Sequence, residues 1–107
     1  MKIHTGITLA AILAATSATT AFAQGTGADT YKAKCQMCHG ATGLGDTPPG
    51  KSMGAVPFNS PALIKAPDAD LIAATTTGKG KMPAYTGKLT DPQIKDVIAY
   101  IRTLQKK

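Results

Sequence analysis

Five consecutive residues, Cys35-Gln36-Met37-Cys38-His39, constrain this chain more than any other feature of its sequence. Their spacing, C-x-x-C-H, is the attachment pattern for c-type haem. Residues three apart on a helix face one side, so both sulfurs can reach the two vinyl groups along one haem edge. His39 follows at the end of that turn and can swing a ring nitrogen under the iron. The motif predicts thioether bonds from Cys35 and Cys38 and a proximal imidazole from His39.

Other chemistries use parts of this pattern. A thioredoxin-like C-x-x-C site sits beside a βαβ pattern, and nothing here alternates strand with helix. A structural zinc takes four ligands, whereas the chain beyond residue 23 offers two cysteines and one histidine, crowded into five positions. A disulfide would be ordinary for two cysteines in an exported protein. Their separation by two residues, with a histidine next, fits haem attachment better.

Export is expected from the first 23 residues. Lys2 supplies a positive start, Leu9 to Ala15 an apolar run, and Ala21-Phe22-Ala23 an A-x-A-like cleavage site before Gln24. Thr16, Ser17, Thr19 and Thr20 interrupt the apolar run well short of the ~20 residues that a membrane span needs. The expectation is a cleaved signal peptide over 1–23 and one domain over 24–107, delivered to the periplasm without a transmembrane span.

The chain carries 12 basic residues against 6 acidic ones, all aspartates, for a net charge of +6. Losing Lys2 with the leader keeps the excess. Such a balance favours acidic partners. Nucleic acid is a poor fit, because the basic residues are scattered rather than in a run and only three tyrosines and two phenylalanines could stack on bases. Acidic proteins are the expected partners, met by a monomer.

Residues 24–107 are short of large apolar side chains and lack tryptophan. A domain of this size has a marginal core unless something staples it. Covalent haem would be both staple and core filler, so the chain made without it is expected to be unfolded or molten.

Helix signals mark three places. Thr26 can cap a helix running through Tyr31 to Cys38, with Asp29 suiting its positive end; Tyr31, Cys35 and Cys38 then share one face. Asp68 to about Thr77 reads as a second helix with Leu71 and Ile72 on its buried side and Gly78 as its stop. Thr90-Asp91-Pro92-Gln93 is a capping box, and Ile94, Val97, Ile98, Ile101 and Leu104 form an apolar stripe at helical spacing. Between Gly40 and Pro61, nine glycines and prolines exclude long regular elements and predict a wrapping loop. Its apolar anchors are Leu44, Met53, Val56 and Phe58.

The second axial ligand is constrained by elimination. His4 leaves with the leader and His39 is the one histidine that remains, so the sixth ligand is methionine, lysine, water or nothing. Met37 lies between the cysteines and cannot reach the opposite haem face. Met53 and Met82 remain. Met82 is flanked by Gly80 and Pro83, which hold the chain off helix and let it present its thioether across the ring. Met53 sits in the first loop, where packing is the simpler role.

With these features together, the chain resembles the small bacterial class I cytochromes c. The resemblance rests on C-Q-M-C-H, on Gly78-Lys79-Gly80-Lys81-Met82-Pro83-Ala84-Tyr85, and on the amphipathic last helix. It implies an all-α fold of three to four short helices and glycine- and proline-rich loops around one haem c, with the first and last helices crossing. Gly27 and Tyr31 match the family's small and aromatic positions, and Val97, Tyr100 and Ile101 the positions they meet. A loop proline, Pro48 or Pro49, would accept the His39 N–H, and Leu71 and Tyr85 would line the haem pocket. The function implied is one-electron transfer between redox proteins rather than enzymatic catalysis. Lys32, Lys34, Lys51, Lys79, Lys81 and Lys88 would frame the haem edge. The alternatives are an electron-accepting subunit of a periplasmic dehydrogenase complex, an open-site haem sensor or enzyme, and a thiol–disulfide enzyme.

Overall fold

Capping chemistry sets where this chain begins its helices. The structure, a computed structural model, describes residues 26–106; the expected leader lies outside the described residues. Thr26 accepts from the Asp29 N–H at 3.2 Å, and the Asp29 carboxylate accepts from the Thr26 N–H at 3.3 Å. This reciprocal pair satisfies two otherwise orphaned donors and opens α1, Gly27–Lys34. The helix expected to run unbroken to Cys38 is interrupted at Cys35, whose φ stretches to −117°, and resumes as α2, Gln36–His39. The Cys35 N–H still bonds the Tyr31 carbonyl at 2.9 Å, so the interruption is a one-residue kink.

The glycine- and proline-rich stretch is not wholly irregular. It holds α3, Pro48–Met53, and leads to α4, Pro61–Lys65. Both helices carry proline in the first turn, where the missing N–H costs no hydrogen bond, and both have a hydroxyl N-cap, Thr47 and Ser60. Gly54 ends α3 at φ +70°, a left-handed C-cap that glycine adopts without strain. Helix α5, Asp68–Thr77, and helix α6, Asp91–Leu104, stand where the sequence puts them. Thr90 and Gln93 make the expected capping box on α6. The described residues contain isolated bridges but no extended strand.

The core lies between α6 and α1. All five residues of the α6 stripe are buried, Val97 completely, and full burial of such a side chain contributes roughly 1.5–3 kcal/mol. Tyr31 of α1 is 1 % exposed, with its ring tilted against Tyr100 at 5.2 Å and edge-on to Phe58 at 6.3 Å. Its hydroxyl donates to the Gly40 carbonyl. Burial raises the Tyr31 phenol well above its usual range, so the donor stays protonated. These contacts fix α2, and the motif it carries, against the core.

Candidate haem site

Cys35, Cys38 and His39 open onto a cleft of about 380 Å³. Its far walls come from α5 (Leu71, Ala74, Thr75), α6 (Val97, Ile98, Ile101) and two loops, Gly54–Phe58 and Lys79–Tyr85. The lining is mostly aliphatic and aromatic with few polar groups, as suits a large flat apolar ligand.

Each wall has a local reason for its position. The C-terminal carbonyls of α2 are engaged by Thr47, whose hydroxyl lies 2.7 Å from the Met37 oxygen and 3.0 Å from that of Cys38. The Thr47 hydroxyl oxygen also accepts from the Gly50 N–H at 3.0 Å, so one side chain caps α3 and steadies the motif. Gly50 is required there, because a Cβ would collide with the Cys38 carbonyl oxygen.

The opposite loop turns tightly. Lys79 and Met82 exchange backbone hydrogen bonds of 3.2 and 3.0 Å around Gly80 and Lys81, and Gly80 takes φ +58°. A Cβ on Gly78, itself at φ +78°, would lie 2.7 Å from the Met82 oxygen. The loop is then tied to α5 by Tyr85 N–H to Thr75 O at 3.0 Å and Thr86 N–H to Thr76 O at 3.1 Å. The Tyr85 hydroxyl reaches back across the cleft mouth to the Lys34 carbonyl at 2.9 Å. Met82 is thus brought into the same cleft as Cys35, Cys38 and His39.

The electrostatics suit a metal-binding imidazole and an unreactive thiol. Burial lowers the His39 pKa, favouring the neutral ring that a metal requires. His39 Nδ1 is buried with no hydrogen-bond partner among the described residues. The two cysteines are not bonded to each other. Burial pushes the Cys35 thiol up to about 11, opposite to the lowered value that thiol–disulfide exchange needs. The residues present fit a thioether-linked haem.

Several expectations need adjustment. Pro48 and Pro49 do not line the cleft; they open α3, which packs behind α2, and neither engages His39. The loop that faces the cleft is Gly54–Phe58. Leu44 is half-exposed and away from the cleft, whereas Met53, Val56 and Phe58 line it. Both candidate methionines, Met53 and Met82, therefore reach the cleft, and Met37 is 75 % exposed outside it. Of the six lysines, Lys34, Lys79 and Lys81 stand on the rim, while Lys32, Lys51 and Lys88 do not. Leu71 and Tyr85 are cleft residues as expected.

Sequence reasoning missed Arg102 and Gln105. Gln105 lines the cleft, and Arg102 is bonded to it and to the α4–α5 segment. Apart from their bond to each other, the partners they hold lie 34 to 47 residues away, a pairing with no local signal.

Known proteins agree with this geometry. Residues 23–101 match the family model described as cytochrome C oxidase, cbb3-type, subunit III. Cytochrome c6 of Leptolyngbya boryana is 35 % identical over 77 residues, covering 70 % of this chain and 85 % of that protein. The cbb3-type cytochrome c oxidase subunit CcoP of Azospirillum brasilense is 33 % identical over 80 residues, covering 73 % of this chain but 27 % of that longer subunit. Among solved structures, the KustC0563 c-type cytochrome superimposes with a TM-score of 0.69 at 27 % identity, over 75 % of this chain and 98 % of that one. No helix among the described residues is long and apolar enough to cross a membrane. With its motif, cleft and relatives in accord, the chain belongs to the class I c-type cytochromes, all-α electron-transfer proteins that carry covalently attached haem c.

Proposed function

We propose that this protein is a periplasmic one-electron shuttle in which Cys35 and Cys38 hold a single haem and His39 and Met82 are its axial ligands. The observation that carries the proposal is the convergence of these four side chains on one apolar cleft. Residues 1–23 act as the export signal, and residues 24–107 are the working domain.

Haem supplies a one-electron couple when bound. The protein determines what that couple can do. His39 and Met82 would hold the iron between them, which would keep substrates from the metal and leave electron transfer, not catalysis, as the task. Met82 offers a soft thioether that favours the ferrous state and raises the potential. Leu71, Val97, Ile98 and Ile101 exclude water and act in the same direction, since an apolar surround disfavours the extra ferric charge. The tight Lys79–Met82 turn and its ties to α5 hold the thioether in place, so little rearrangement accompanies a change of oxidation state. Lys34, Lys79 and Lys81 on the rim steer acidic redox partners toward the exposed edge, in brief contacts with small interfaces.

A second reading has a specific observation behind it. The CcoP match spans about a quarter of that subunit's length, so the same fold serves as one part of a larger protein. Co-purification with an oxidase or dehydrogenase would favour a tethered or subunit role over a free shuttle.

The test is a visible and near-infrared spectrum of the haem-loaded protein and of Met82→Leu. The parent should show thioether-linked haem and a methionine-to-iron absorption that the variant loses, together with a lower potential in the variant. An unaltered spectrum in Met82→Leu would sink the ligand assignment and direct attention to Met53.

A further inference from the structure

Arg102 sits on α6 beside the apolar stripe and engages the segment from α4 to α5 with its whole guanidinium. Nε donates to Asp68 Oδ1 at 2.8 Å, Nη1 to the Leu63 oxygen at 3.0 Å and to Gln105 Oε1 at 3.0 Å, and Nη2 to the Ala66 oxygen. Gln105, oriented by Arg102, donates through Nε2 to the Phe58 oxygen at 3.0 Å and to the Leu63 oxygen at 3.3 Å. Phe58 is also held from the other side, its N–H donating to the Gly43 oxygen at 2.9 Å. Its ring lies over the His39 imidazole with centroids 4.6 Å apart and planes 20° from parallel.

The imidazole needs such a support. A metal-ligating histidine ordinarily donates its second ring N–H to an acceptor that fixes the ring's orientation, and His39 Nδ1 has none among the described residues. The terminal torsion of histidine is broad, so an unbonded ring would sample many planes. A stacked aromatic neighbour restricts that torsion.

We propose that Arg102 is a positioning residue for the haem's proximal ligand: acting through Gln105 and Phe58, it fixes the plane of the His39 imidazole. This rests on His39 being that ligand. Arginine is required because its planar fork satisfies acceptors in several directions at once, which a lysine ammonium on a flexible stem cannot do. The Asp68 ion pair is secondary, since Asp68 is exposed and such pairs contribute little.

The experiment compares haem-loaded parent, Arg102→Lys, Gln105→Met, Phe58→Leu and Asp68→Asn, all well below their melting temperatures. Electron paramagnetic resonance and the paramagnetic proton shifts of the His39 ring report the ligand plane. The ferric-to-ferrous ratio at one fixed ambient potential reports its energetic consequence. Arg102→Lys, Gln105→Met and Phe58→Leu should shift the resonances in one direction and change that ratio several-fold, while Asp68→Asn should match the parent. Should Arg102→Lys fail to accumulate, Gln105→Met, which nearly preserves volume, gives the same reading. Variants that melt earlier yet keep the parent's resonances and ratio would overturn the positioning role and leave a purely structural clamp. A parent protein without an imidazole–iron signature would overturn the ligand assignment, and the positioning role with it, before any variant is made.

Discussion

Gly27 of α1 lies directly against the backbone of α6 at Asp96, so closely that a Cβ on it would collide with the Asp96 carbonyl oxygen. The obstruction is backbone, which cannot swing away as a side chain tip could. Gly27→Val should therefore push α1 from α6, separate Tyr31 from Tyr100, and cost about 1–3 kcal/mol or more. Denaturant melts of the haem-loaded variant check this. An unchanged midpoint would show that the two helices have slack.

Tyr31 ties α1 to the end of α2 through its bond to the Gly40 carbonyl. Tyr31→Phe keeps the ring packing and removes that donor, so it should cost about 1 kcal/mol.

The same phenol predicts a pH effect. Burial raises its folded pKa above the ordinary 10.0, while the unfolded chain ionises near that value. The folded state then holds the proton longer, so this contribution is complete below pH 10.0 and is lost as pH rises past it. Melts of the parent between pH 8 and 11 should lose stability more steeply than those of Tyr31→Phe. Parallel curves would refute the assignment.

Without thioether bonds the cleft has no filler for its aliphatic walls. Cys35→Ala, Cys38→Ala protein should lose its cooperative thermal transition while retaining some helical signal in far-ultraviolet circular dichroism. A sharp, near-native melt would show that the α1–α6 core is sufficient alone.

The rim lysines give a kinetic prediction. Replacing Lys34, Lys79 and Lys81 by glutamate should slow bimolecular electron transfer with a small acidic redox protein by about tenfold or more at low ionic strength. The difference should shrink as salt is added. Glutamate at Lys32, Lys88 and Lys95 together, all exposed and away from the cleft, serves as the charge-matched control. Equal effects at both places would mean that net charge, not the rim, guides association.

Much of this molecule is local, and so was legible in the chain. Thr90 and Gln93 make their capping box within one turn, Gly78 stops α5, and the α6 stripe needs only helical spacing to identify its buried face. Gly27 was expected to meet the last helix through the family resemblance, and the structure supplies the backbone it meets. Where alternatives were close, the sequence was insufficient. It pointed to Pro48 or Pro49 beside His39, yet both prolines head a six-residue helix behind the motif. The Asp29 half of the α1 capping box was legible only as a dipole partner.

By itself the sequence determined the cofactor chemistry, because C-x-x-C-H places two sulfurs and an imidazole within five residues on one turn and needs no distant partner to do so. It also determined where α1 and α6 begin and where α5 stops, since caps and breakers act over three or four residues. Only the tertiary structure decided that Phe58 stacks on His39 and that Arg102 and Gln105 hold Phe58 there. Those contacts join residues separated by long stretches of chain, and their geometry is set by how α6 packs across the loops, which no local spacing encodes.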